Sequence, residues 1–203
     1  MDSVTSFIYG MSMMFFSMMA FLFWRKGKEM LFRMIMWLMI VVDLQLVKDM
    51  VFFLIYGFDN EHAWYLTSSL DTMIIPFYSF VLMDLVKPGW FRWLKALMLE
   101  LPFLLLPVFY IFTHNIIWFY VLSVWGAIYG FSTFILLFFM IRRYHRQLKE
   151  RFSYQENINL NWLLAILNTF FLILFLWTLS CFVINVDYDN IYMVSSLILW
   201  MLI

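Results

Sequence analysis

IIWFYVLSVWGAIYGFSTFILLFFMIRRYHRQLKER, residues 116–151, is the stretch that decides the fold. Residues 116–141 hold no charged side chain, and these 26 residues exceed the roughly 20 apolar residues that carry a helix across a ~30 Å hydrocarbon core. Five Arg and Lys follow between Arg142 and Arg151, the signature of a membrane helix anchored on its cytoplasmic side. Working outward, Thr113, His114 and Asn115 make a tight turn before residue 116, and apolar runs cover residues 94–112, 66–86, 31–58 and 4–24. Beyond the basic segment, apolar runs cover 162–184 and 191–203. Composition agrees: of 203 residues, 66% are hydrophobic and 13% charged, against ~45–50% and ~25% in soluble domains. That excludes a disordered chain, a coiled coil and a soluble enzyme domain. The expected fold is therefore all-α, a polytopic membrane bundle of about seven transmembrane helices forming a single domain over residues 1–203.

Charge sets the expected orientation. Thirteen basic residues balance 13 acidic ones, so net charge indicates no nucleic-acid partner. With the N-terminus outside, Arg25, Lys26, Lys28, Arg33, Lys87, Arg92, Lys95 and the five basic residues of 142–151 all fall inside. The outer loops carry Asp59, Glu61, Asp187 and Asp189. This is the positive-inside pattern of an N-out, C-in protein, and Trp24, Trp64, Trp90, Trp93, Trp118 and Trp162 fall near span ends as an aromatic belt would. The basic segment 142–161 reads as a cytoplasmic extension of the fifth span. The run 191–203 would reach only about 20 Å as a helix, so the chain is expected to stop inside a longer seventh helix.

The candidate site comes from polar residues placed where lipid should be. An intramembrane charge costs ~2.5–3.5 kcal/mol on insertion scales and tends to face protein or water. The second run holds Asp43, Gln45, Lys48 and Asp49; at 100° per residue the last three share a face and Asp43 points away. The third run holds Asp71 beside Ser68, Ser69 and Thr72. Lys48, Asp49 and Asp71 could meet in one outward-facing pocket, either as a ligand or ion site or as an ion pair that fixes helix register. Three carboxylates, Asp43 included, stand against one ammonium, so protons, a cation or hydrogen bonds must supply the difference.

Other features carry less. Asp84 and Lys87 read as an interfacial pair, and Glu100 sits two residues before Pro102. Pro76, Pro102 and Pro107 should kink their helices or free carbonyls. Gly126 and Gly130 form a GxxxG that permits close helix packing, inside the chain or against a second copy. His62 and His114 fall outside and His145 inside, far apart in sequence, and no metal or cofactor is expected. Cys181 is the single cysteine, so no intrachain disulfide forms. No HExxH, GxSxG or phosphate-binding glycine loop occurs, which argues against an enzyme.

LVKD at 46–49, SLDTMIIPFYSFVLMDLVKPGW at 69–90, ELPFLLLP at 100–107 and FSYQENINLNWL at 152–163 resemble the membrane sensor region of Bacteroides-type membrane-anchored AraC-type transcriptional regulators, with related regions in membrane histidine kinases. The resemblance implies an input domain of a bacterial inner membrane, with the bilayer and a small ligand from the outer face as partners. Nucleic acid would be reached only through an output domain outside these residues. The competing expectation is a small-solute or proton-coupled transporter, because intramembrane carboxylates also serve ion relays.

Overall fold

The computed structural model describes residues 3–27, 29–57, 60–151, 161–182 and 186–201, without the side chains of 145, 147–151, 161, 162, 181 and 186. Lys28, Asp59, Asn185, Ile203 and most of 142–161 beyond residue 151 therefore lie outside the described residues, as do the side chains of His145, Trp162 and Cys181. Eight helices and no strand are present among the described residues: α1 (Ser3–Lys26), α2 (Met30–Tyr56), α3 (Glu61–Asp71), α4 (Ile74–Val86), α5 (Trp93–Thr113), α6 (Ile116–Arg151), α7 (Asn161–Phe182) and α8 (Val186–Met201). By length and composition, five helices are long and apolar enough to cross a membrane: Ser3–Lys26, Glu61–Val86 (α3 and α4 taken together), Trp93–Thr113, Ile116–Tyr144 and Leu163–Ser180. The protein is a membrane-embedded helical bundle. The 27-residue α2 matches these in length and carries Arg33, Asp43, Lys48 and Asp49.

Large apolar side chains such as Phe7, Met14, Trp93, Phe112 and Phe139 are exposed along the outside. That arrangement suits hydrocarbon as solvent, where helices gain little by burying Leu or Phe and associate by close packing instead. The α3–α4 span occupies the middle and touches α2, α5, α6 and α7, while α8 closes against α1 and α7. The GxxxG face is turned inward. A Cβ on Gly126 would lie 3.2 Å from Ile75 Cδ1 of α4, and one on Gly130 would lie 2.7 Å from Leu174 Cδ2 of α7. These two glycines let α6 approach two neighbours at once.

Three boundaries differ from the sequence expectation, each for a local reason. The third span begins at Glu61 rather than residue 66, because Asn60 caps it: its side-chain oxygen accepts the Ala63 N–H at 3.1 Å, and Glu61 complements the helix dipole. The same span is broken between Asp71 and Ile74. Pro76 has no N–H for the Thr72 carbonyl, so the turn tightens: Met73 N–H donates to Leu70 and Ile75 N–H to Thr72. The third difference lies at 185–190, read from sequence as an acidic loop; from Val186 on it is the first turn of α8, with Asp187 and Asp189 at the favourable end of the dipole. Two smaller expectations also change. Asp84 does not pair with Lys87; its Oδ1 accepts the backbone N–H groups of Gly89 (3.0 Å) and Phe91 (3.3 Å), holding the turn that leads to α5. Trp64 is buried against Phe53 rather than placed in an interfacial belt.

Candidate functional site

The end of the bundle where α1, α3 and α8 begin gathers the polar residues, away from Arg25, Lys26, Arg33, Lys87, Arg92 and Lys95. Lys48 is its hub. The ammonium Nζ donates to Asp71 Oδ1 at 2.6 Å and to the Thr67 carbonyl at 2.9 Å. Asp49 Oδ1 lies 2.8 Å from the same nitrogen, off the line of a hydrogen bond, so this carboxylate is an ion-pair neighbour with no hydrogen-bond donor on that oxygen. Gln45, one turn before, donates from Nε2 to the Leu70 carbonyl at 3.1 Å. That carbonyl is one of the last four of α3, which lack a normal i+4 partner. The helix break thus frees the Leu70 carbonyl for Gln45, while Lys48 adds its bond to the Thr67 carbonyl one turn earlier, inside the regular helix.

The expected meeting of Lys48, Asp49 and Asp71 is observed, and Gln45 on the same face of α2 joins them, whereas Asp43, also counted among the candidate ligand-binding residues, does not. Asp43 stands apart: it accepts the Ser17 hydroxyl across the α1–α2 seam. Four residues that sequence reasoning did not place here join the cluster. Tyr9 of α1, 2% exposed, donates its hydroxyl to Asp189 Oδ2 of α8 at 3.1 Å. Asn190 donates to Thr5 Oγ1 at 3.0 Å, tying the start of α8 to the start of α1.

These groups surround a cavity of about 100 Å³ lined by Tyr9, Gln45, Asp49, Trp64, Asp71, Tyr78, Trp177 and Asp189. About one water needs 10–15 Å³ by this measure, so the space admits several waters or one small solute. Among the described residues, three carboxylates (Asp49, Asp71, Asp189) and no basic side chain line the cavity, with Lys48 behind them. Lys48, Asp49 and Asp71 keep 17%, 15% and 16% of their side-chain surface exposed, so exchange of partners with a cavity occupant needs no unfolding. The arrangement favours a small polar solute with cationic or hydrogen-donating character. An anion would face three carboxylates, one of them already holding the ammonium.

A second polar contact sits at the same end. His114 Nδ1 and His62 Nε2 are 3.1 Å apart, and the Tyr110 hydroxyl lies 2.9 Å from His62 Nδ1. Two histidines distant in sequence therefore meet, joining the start of α3 to the end of α5. His114 supplies the left-handed residue (φ 51°) that closes α5. No group of three His, Cys, Asp or Glu able to hold a metal ion is present among the described residues. No family model, curated protein or solved structure matches the chain.

Proposed function

We propose that this chain is the membrane-embedded input module of a signalling protein, with seven spans, N-out and C-in, in a bacterial inner membrane. The observation that carries the reading is the Lys48 bridge from α2 to Asp71 at the last residue of α3, beside a solute-sized cavity. A ligand signals only by binding two states differently. Here a cationic or hydrogen-donating solute entering the cavity would compete with Lys48 for Asp71 and Asp49, and with Tyr9 for Asp189. Loosening the first contact frees the α3–α4 break, and that span touches four other helices. The sequence resemblance to sensor regions of membrane-anchored AraC-type regulators supports the same reading, with DNA contacted only by an output domain outside these residues. Asp71→Asn placed in the chromosomal copy, at unchanged membrane abundance, is expected to alter the transcript profile of the strain; an unchanged profile removes the assignment.

Transport of a small cation is the second reading, favoured by the three cavity-lining carboxylates and the interrupted central helix. Proteoliposomes holding the purified chain separate the two. Solute- or pH-driven uptake that is abolished by Asp71→Asn supports transport, and its absence supports the input module.

A further inference from the structure

Glu100 belongs to none of this network. It lies in α5, is 9% exposed, and its Oε2 has no hydrogen-bond donor among the described residues. Both ion pairs among the described residues involve Lys48, so Glu100 has no cationic partner there. A buried carboxylate oxygen without a donor is costly unless something supplies one. The side chain lines a cleft of about 430 Å³ that runs between α2 and α5 over α4. Its walls are Trp37, Phe77, Phe80, Trp93 and Leu97, with Arg33 as the one basic residue lining it among the described residues. That volume falls within the roughly 300–1,000 Å³ of ligand pockets.

The cleft opens sideways. Trp37, Trp93 and Leu97 are 57%, 75% and 59% exposed on the outer, lipid-facing surface of the bundle. Depth along the helices orders its two charges. Glu100 is seven residues past the start of α5, about 10 Å, whereas Arg33 is three residues past the start of α2, about 5 Å. Glu100 therefore leaves its helix about one turn deeper than Arg33 leaves its own, along an apolar and aromatic channel reached from the bilayer. Such a channel takes an apolar chain, the aromatic faces attract a cation, and the carboxylate accepts its N–H groups.

We infer that this cleft binds lipophilic ammonium compounds: single-chain amphiphiles whose protonated amine sits on Glu100 and whose chain lies along Trp37, Phe77 and Leu97. A membrane lipid amine and an amphiphilic amine from solution share this chemistry. The test uses the full chain in maltoside micelles at fixed micelle concentration, titrated with dodecylamine, dodecanol and dodecyl sulfate and read by native mass spectrometry. Saturable binding of dodecylamine is expected, with dodecanol and dodecyl sulfate weaker by about tenfold or more. Glu100→Gln should weaken dodecylamine by about tenfold and leave dodecanol unchanged, and Leu97→Trp should block the chain of both. Equal binding of amine and alcohol, or an undiminished amine affinity in Glu100→Gln, overturns the proposal. Should Glu100→Gln fail to stay monodisperse, Leu97→Trp decides: dodecylamine bound as tightly as before overturns it. Lipid extracted with the protein and enriched in amine headgroups over the bulk membrane assigns the source to the bilayer; bulk-like lipid with retained dodecylamine binding assigns it to solution.

Discussion

The α3–α4 span and α6 are both apolar and both cross the bundle, yet they differ in almost every other respect. In α3–α4, 61% of the most apolar stretch is buried; in α6 the figure is 22%. One is interrupted at Thr72 and Met73, accepts hydrogen bonds from α2 and ends its first half on Asp71. The other is unbroken for 36 residues and meets its neighbours through two glycines and a stripe of buried apolar side chains such as Phe119, Leu122, Leu137 and Ile141. In lipid a backbone group without a partner is costly, so a break is tolerated only where protein surrounds it. The central position of α3–α4 is what permits its polar interruption, and the peripheral position of α6 is what forbids one.

The sharpest way to break this contrast is to remove the hub. Lys48→Met leaves Asp49 and Asp71 facing each other without the ammonium and is expected to cost about 3–5 kcal/mol, read as a lowered unfolding midpoint in detergent. Lys48→Met with Asp71→Asn should recover part of that loss, since the two sites are coupled. Next in size, Gly130→Val tests the glycine contacts of α6: a Cβ 2.7 Å from Leu174 overpacks the α6–α7 seam and should cost about 1–3 kcal/mol in the same assay. Pro76→Ala sharpens the comparison from the other side. It restores an N–H to the Thr72 carbonyl and makes α3–α4 resemble α6; slower amide exchange over residues 72–76 and a gain of up to about 1 kcal/mol are expected. The smallest effect belongs to Asp43→Asn, which keeps an acceptor for Ser17 outside the cavity and should shift the midpoint by the equivalent of under about 0.5 kcal/mol.

Much of this was legible in the residues. Apolar run lengths placed the long helices, and helical spacing put Gln45, Lys48 and Asp49 on one face toward Asp71 while turning Asp43 away. Tyr9 and Asp189 were not legible. Tyr9 sits in an apolar run with no period to single it out, and its partner comes from the opposite end of the chain. Asp189 was hidden by reading 185–190 as a loop because it is polar. Acidic residues in a helix's first turn are stabilising, so Asn185 followed by Asp187 and Asp189 was also a start signal. The His62–His114 contact depends on how α5 turns back against α3, and only tertiary packing sets that.

The length of α6 has a mechanical meaning. Its 36 residues reach about 54 Å, well past a hydrocarbon core of about 30 Å. Leu137 and Ile141, 0% and 1% exposed, grip α6 in the core long after Gly126 has rested on Ile75. The remaining residues, 142–151, carry the helix about 15 Å past that grip. The basic end is thus a short stiff extension whose position follows any shift of the core around Leu137 and Ile141.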